Sequence, residues 1–383
     1  MMKSRWVLAA LGSVLLFAAG CRKERAAAPI RIGALFAVTG PASFLGAPEE
    51  KAARMLVDQI NAEGGIGGRP IELICKDTAG DPDKCVSFAR QLIDEDQVAA
   101  IIGPSNSGET MKIKAICEEA RVPLVSCAAA EVIVNPVARY VFKTPQKDSQ
   151  AVTWIFNTAK ARGLTRIGIL TDNTGFGAAG KEQLESLAAV QGMEILASEV
   201  FDKKATDLTD ILTKLKGREV QAVVNWSIVP AQSIVPRNMK QLGMDVPLFQ
   251  SHGFGNIKYV EQAGQAADGI LFPASRILAV DKLPAEHPQK AVLMAFKKAY
   301  EERWQEPVSA FGGYAYDAVM LIAEAIRAKG AERDQIRDGL EGLTGVVGTT
   351  GIFSFTPEDH NGLGLDCFEM LTVKDGQFVL LEP

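Results

Sequence analysis

The stretch Pro48-Glu49-Glu50-Lys51-Ala52-Ala53-Arg54-Met55-Leu56-Val57-Asp58-Gln59-Ile60-Asn61-Ala62-Glu63-Gly64-Gly65-Ile66-Gly67-Gly68-Arg69-Pro70-Ile71-Glu72-Leu73-Ile74-Cys75 joins a helix to a strand. Ala52, Met55, Leu56 and Ile60 recur at helical spacing, which predicts a helix over residues 48–62 with one buried face. Gly64-Gly65 ends it and Gly67-Gly68 turns the chain, because glycine enters the left-handed backbone region without a steric penalty. Residues 71–75 then read as a strand.

Working outward, the same alternation continues. Upstream, residues 30–36 form an apolar run followed by the loop glycine and proline Gly40-Pro41. Downstream, Asp81-Pro82 is an N-cap followed by proline at the first helical position, opening a helix to about residue 94. Strand 98–103, helix 109–119 and strand 122–126 follow, and the pattern restarts after Asp148. Helix 150–162, strand 166–170, helix 178–191, strand 193–200, helix 208–215 and strand 222–226 make a second run of similar size. The last third (helices 288–304 and 312–328, strands 352–355 and 369–373) completes one or both halves. Strands separated by helices imply right-handed βαβ units, so the predicted class is α/β, with two Rossmann-like lobes around parallel sheets.

The 383 residues are 47% hydrophobic and 23% charged, ample for a core and too apolar for a disordered chain. Net charge is -5 and no long run of Lys and Arg occurs, which excludes a general phosphate-binding surface and with it nucleic acid. Three histidines, His252, His287 and His360, lie far apart and give a histidine-rich metal site little material. No H-E-x-x-H, G-x-S-x-G or paired-cysteine zinc pattern appears, so no metal, cofactor or catalytic residue is expected.

Lys3 and Arg5 precede the uncharged run from Trp6 to Ala19, which is shorter than the roughly 20 residues of a bilayer span and fits a secretory signal. The run ends in Phe17-Ala18-Ala19-Gly20-Cys21 and resembles a bacterial lipoprotein signal, with Ala18 where leucine is usual. Residues 1–20 are then removed, Cys21 carries the lipid, and residues 21–28 form a tether. Ala26-Ala27-Ala28 offers a second small-residue site, leaving open an ordinary soluble secreted protein.

The segment from Asn61 to Leu73, together with Ile102-Gly103-Pro104-Ser105-Asn106-Ser107-Gly108, Pro123-Leu124-Val125-Ser126, Asp172-Asn173, Phe176-Gly177 and Gly312-Gly313-Tyr314-Ala315-Tyr316-Asp317, resembles the leucine/isoleucine/valine-binding family, type I periplasmic binding proteins of ABC transporters. The match extends to Phe353-Ser354-Phe355-Thr356-Pro357-Glu358-Asp359-His360-Asn361-Gly362 and spans the mature chain in collinear order. It implies a monomeric receptor in the periplasm, anchored to the membrane only by lipid, with a small-molecule carboxylate or amino acid between two lobes and an ABC permease as partner. The lobes implied are 29–147 with 276–355 and 148–275 with 356–383, joined by three crossings near residues 146–148, 273–276 and 355–357.

Ligands of parallel sheets sit outside the carboxyl ends of the strands. The Ser105 and Ser107 loop lies between a strand and a helix, where backbone N–H groups and the helix dipole favour a carboxylate. Ala128, Ala129 and Ala130 follow the next strand and are expected to add backbone N–H groups; the resemblance often has threonine where Ala130 stands. Leu45, Phe176 and Trp226 are candidate apolar contacts. His252 stands where amino-acid binders of the family usually carry a glutamate for the ligand's ammonium. An imidazole cannot serve as that counter-ion, so either another acid such as Glu131 or Asp172 does, or the ligand has no ammonium; a bare turn-capping role for His252 is the alternative.

Gly175-Phe176-Gly177-Ala178-Ala179-Gly180 matches G-x-G-x-x-G, with Glu199 downstream, but four polar residues from Thr171 to Thr174 separate it from the predicted strand. A dinucleotide fingerprint turns directly at the strand's end, so a cleft loop is the better reading. Five cysteines beyond Cys21 (Cys75, Cys85, Cys117, Cys127 and Cys367) leave at least one unpaired; Cys75 and Cys85 could meet, whereas Cys117 and Cys127 fall at different heights. Gly80 and Asn106 stand where some members of the resembled family carry a disulfide. A sensory receptor using the same cleft, or a secreted enzyme, are the competing functions.

Overall fold

The computed structural model describes residues 28–382. The signal segment, Cys21 and most of the tether lie outside the described residues. Strands β1 (Ile30–Phe36), β2 (Ile71–Asp77), β3 (Ala100–Ile102), β4 (Leu124–Ser126) and β5 (Val141–Lys143) form one parallel sheet in the order β2-β1-β3-β4-β5. Strands β6 (Arg166–Asp172), β7 (Glu194–Phe201), β8 (Ala222–Trp226), β9 (Leu248–Gln250) and β10 (Leu271–Ala274) form a second in the order β7-β6-β8-β9-β10. The second order repeats the first position by position, as the restarting pattern predicts.

A small hairpin, β11 (Val346–Val347) with β12 (Ile352–Phe353), precedes β13 (Glu369–Lys374) and β14 (Gln377–Leu380), which extend the second sheet in antiparallel fashion beyond β10. The central strands are buried almost end to end, which is why their sequences are continuous apolar runs rather than alternating ones.

Helices α1 (Ser43–Ala62), α2 (Pro82–Asp94) and α3 (Ser107–Glu119) belong to the first βα run, and α4 (Asp148–Ala161), α5 (Gly175–Ala188), α6 (Thr209–Lys216), α7 (Ile234–Gln241) and α8 (Ile257–Ala263) to the second. Of the late helices α9 (Lys290–Trp304), α10 (Ala310–Lys329) and α11 (Arg333–Glu341), α10 packs on α1 and β3, returning the chain to the first sheet. The Asp81 carboxylate accepts the Asp83 and Lys84 N–H groups and caps α2 as expected. Helix α1 begins one turn earlier than the apolar periodicity suggests and carries Pro48 inside it. The ring removes the N–H that would bond the Phe44 carbonyl four residues back. That carbonyl instead accepts the Asn256 side-chain amide at 2.8 Å, across from the other sheet.

The crossings between sheets are tied by buried polar groups. Gln146 Nε2 donates to Ser275 Oγ at 2.9 Å, and Asn361 Nδ2 donates to Pro145 O at 2.7 Å. Strand β10 runs through Pro273 to Ala274, so the second crossing starts at Ser275.

All five cysteines of the described chain are free thiols. The possible Cys75–Cys85 bridge is not formed, because Cys75 of β2 and Cys85 of α2 face different helices. Cys75 faces Arg54 and Glu50 of α1, and Cys85 faces Glu109 and Cys117 of α3. Among the described residues no helix is long and apolar enough to cross a membrane, and no cluster of His, Cys, Asp or Glu suits a metal ion.

Candidate functional site

Both sheets reverse strand order about their first strand, and the loops at the carboxyl ends of β1, β3, β4, β6, β8 and β9 converge on one cavity. In this conformation its walls leave only about 10 Å³ of free space, roughly room for one water molecule, so a ligand must part them. Leu45, Ser105, Ser107, Ala128 and Ala129 line it from the first half, and Phe176 and His252 from the second. Six wall residues were not singled out as contacts from the sequence: Asn106, Cys127, Ile228, Gly253, Phe311 and Tyr314. Phe311 and Tyr314 sit in the first two turns of α10, capped by Ser309, and the Gly312 to Asp317 motif was the local signal beside them.

The hydrogen bonds separate the two serines. Ser105 donates its hydroxyl proton to the buried Glu49 carboxyl and accepts the Ala37 N–H at 3.0 Å, so it is engaged on both sides. Burial holds the Glu49 carboxyl well above the usual carboxylate range. Ser107 Oγ accepts the Ala130 N–H at 3.2 Å and keeps its own proton free for a ligand. Ser107 opens α3, capped by the Asn106 side chain, which accepts the Glu109 N–H at 2.9 Å. The free N–H groups of that first turn and the helix dipole make the neighbourhood attractive to an anion.

The following loop is largely spoken for. The Ala128 N–H goes to Ser126 Oγ at 3.1 Å and the Ala130 N–H to Ser107, leaving Ala129 N–H unpaired among the described residues. Ala130 lies off the cavity wall.

Opposite, Phe176 is held at the start of α5 and stacks on Trp226 with ring centroids 5.6 Å apart. Trp226 is wholly buried behind it and does not reach the wall. His252 presents its ring edge-on to both, 5.5 Å from Phe176 and 5.4 Å from Trp226. The turn is capped by Ser251, whose Oγ accepts the Gly253 N–H at 3.2 Å, so turn capping is not what His252 does. Both imidazole nitrogens are buried without a hydrogen-bond partner among the described residues, and Nε2 is 3.8 Å from Asp148 Oδ1, too far for a bond. Burial, aided by the nearby Lys143 charge, pushes its pKa down to about 3, so the ring is neutral with one donor and one acceptor to offer.

Among the described residues no Asp, Glu, Lys or Arg side chain lines the cavity. The two acids considered as counter-ions are occupied elsewhere. Asp172 accepts from the Thr174 N–H at 2.8 Å and the Ser227 hydroxyl at 2.7 Å, and Glu131 accepts the Ser149 N–H at the start of α4 at 3.1 Å.

The glycine motif is also explained by packing. Strand β6 runs through Asp172, so only two residues precede Gly175, not the four expected. The Asp172 carboxylate turns into this corner, and Thr174 Oγ1 takes the Gly177 N–H at 3.2 Å, so an anion already fills the place of a diphosphate. A side chain at Gly180 would stand 2.1 Å from the Trp226 indole, and Glu199 pairs with Lys214 at 3.5 Å. Outside the cavity, past Ser107 and Phe176, a wider mouth of about 560 Å³ carries Lys203 and Lys204, with Asp81 on its other wall.

Comparison with known proteins agrees with this architecture. Residues 29–377 match the family model described as periplasmic binding protein. A leucine-, isoleucine-, valine-, threonine- and alanine-binding protein of Pseudomonas aeruginosa is 27% identical over 90% of each chain. An extracellular ligand-binding receptor of Rhodopseudomonas palustris superposes with a TM-score of 0.87 at 25% identity, covering 92% of this chain and 99% of that one. A branched-chain amino acid transporter substrate-binding protein of Streptococcus pneumoniae, solved with isoleucine, gives 0.81 at 28% identity over 93% of this chain and 100% of its own. The cleft at the switch points of two repeated α/β halves and the match along nearly the whole described chain have one explanation: the chain belongs to the periplasmic binding protein family, whose members bind solutes.

Proposed function

We propose that this protein is the solute receptor of an ABC-type uptake system of the branched-chain amino acid class. Its preferred ligand is a small aromatic or branched aliphatic carboxylate without an α-ammonium. One observation carries the ligand class: the wall has an anion-holding end at Ser107 and the start of α3, a neutral imidazole and aromatic rings at the other end, and no acid anywhere. A carboxylate gains charge-assisted hydrogen bonds in such a cleft, whereas an ammonium buried without a counter-ion costs several kcal/mol (order of magnitude). The apolar tail contributes about 25 cal/mol per Å² buried.

The relatives that bind leucine, isoleucine or valine support the receptor role and the permease class. They also make a branched-chain amino acid the second reading. Calorimetry on refolded, ligand-stripped protein separates the two: leucine or valine binding tightly while 4-methylpentanoate and 3-phenylpropanoate stay silent refutes the carboxylate reading.

The receptor is anchored in the cell envelope by lipid at Cys21, works as a monomer, and closes two lobes, 29–147 with 276–355 and 148–275 with 356–383, around its ligand. Loss of lipid labelling in Cys21→Ala tests the anchor. Small-angle scattering with and without ligand tests closure, and unchanged dimensions at saturation count against it.

A further inference from the structure

The cavity wall is uncharged, but a charge stands directly behind it. Lys143, the last residue of β5, is fully buried, and its Nζ donates to Ala129 O at 2.5 Å and to Gln146 O at 2.8 Å. Ala129 is part of the wall. The acids that oppose this charge, Asp148 and Glu131, act on it through space and spend hydrogen bonds elsewhere: Asp148 Oδ2 accepts the Glu131 N–H at 3.1 Å, and Glu131 Oε2 accepts the Ser149 N–H. Burial lowers the Lys143 pKa to about 8, which still leaves the ammonium largely charged at neutral pH, and this charge is the second cause, after burial, that keeps His252 neutral.

Two consequences follow for anything entering the cleft. The Ala129 carbonyl already accepts from an ammonium of the protein, so one of its two lone pairs is occupied before any ligand arrives. A second cation in the cavity would also be repelled at short range in a medium of low effective dielectric, where such terms are large.

We infer that Lys143 is a specificity-determining residue: a built-in ammonium behind the wall that favours ligands bearing a carboxylate and rejects those that also carry a cationic group. This rests on the carboxylate reading above, and supplies its mechanism. A purely structural lysine would, on removal, weaken all ligands alike. A charge-selecting lysine moves the two halves of a matched pair in opposite directions.

The test is calorimetry on ligand-stripped protein with two pairs that differ only in the ammonium: 4-methylpentanoate against leucine, and 3-phenylpropanoate against phenylalanine. The wild type is expected to prefer the acid of each pair. Lys143→Gln keeps a donor for Ala129 O without the charge and should lower that preference about tenfold or more, a shift of one decade per 1.4 kcal/mol. Lys143→Arg should keep it. Asp148→Asn leaves the lysine less compensated and should raise the preference, so it decides the matter if Lys143→Gln does not fold. A wild type that prefers the amino acids, or binds no member of either pair, overturns the carboxylate reading and this inference with it. A wild type that prefers the acids, with a ratio unmoved by Lys143→Gln or by Asp148→Asn, overturns the role of Lys143 alone.

Discussion

Replacing each of the two cleft serines by alanine should separate stability from binding. Ser107→Ala removes the free hydroxyl proton beside the helix terminus and the acceptor of the Ala130 N–H. A hydrogen bond to a charged ligand contributes about 1.5–3 kcal/mol, so affinity for the bound carboxylate should fall roughly 10- to 150-fold. The orphaned Ala130 N–H adds about 1–3 kcal/mol of lost folding stability. Ser105→Ala strips partners from both Glu49 and the Ala37 N–H, so its stability loss should be the larger, while affinity changes by less than about threefold. Urea unfolding of the apo proteins gives the first quantity and calorimetry with the same carboxylate gives the second. Equal affinity losses in the two variants would refute the assignment of Ser107 as the anion contact and Ser105 as a support.

His252→Glu should create a counter-ion in the cavity and shift the leucine-to-4-methylpentanoate affinity ratio toward leucine by about a hundredfold, read by competition calorimetry. His252 is neutral in the folded state, with its pKa lowered from 6.5 to about 3, so its contribution to stability is full above pH 6.5 and is lost as pH falls toward 3. The stability of wild type relative to His252→Gln should therefore drop by on the order of 2 kcal/mol between pH 7 and 4.5 in urea titrations; a constant difference would show the ring protonates freely. Reversing Lys203 and Lys204 to glutamate at the cleft mouth should slow association of an anionic ligand several-fold at low salt and leave the dissociation rate nearly unchanged, measured by stopped-flow fluorescence. Gly180→Ala places a methyl group against the Trp226 indole and should destabilise the fold by about 1–3 kcal/mol with a changed tryptophan emission.

The long βα units were legible because their buried strands are continuous apolar runs and their helices carry a regular apolar face. Residues 30–36 and 222–226 coincide with β1 and β8. The three-residue strands β5 and β9 were not read, whereas the equally short β3 and β4 were, because the helical pattern of α3 lies between them. Helix α11 escaped because most of its residues are charged or polar, and its burial comes from packing on α10. At the cavity, residues next to strand ends and glycine turns could be named in advance. Ile228 and Phe311 could not, because whether a loop side chain faces a cleft or a core depends on where the other half of the chain stands. The engagement of Ser105 with Glu49 was equally hidden, as the two lie 56 positions apart.

Pro48 gives helix α1 a permanent vacancy at the Phe44 carbonyl, and the occupant comes from the opposite half of the molecule. The helix cannot satisfy this group by itself, so in an opened molecule only water can. If the lobes close as proposed, that water gives way to the Asn256 amide, and beside it the Ala310 N–H meets Gly255 O at 2.9 Å. Both contacts grip residues 255–256, a few positions from His252. The segment that reads the ligand is thus the segment that fastens the lid. An alanine at position 48 would repair the helix and remove the catch, making the first half of the protein more robust and the receptor slower to stay shut.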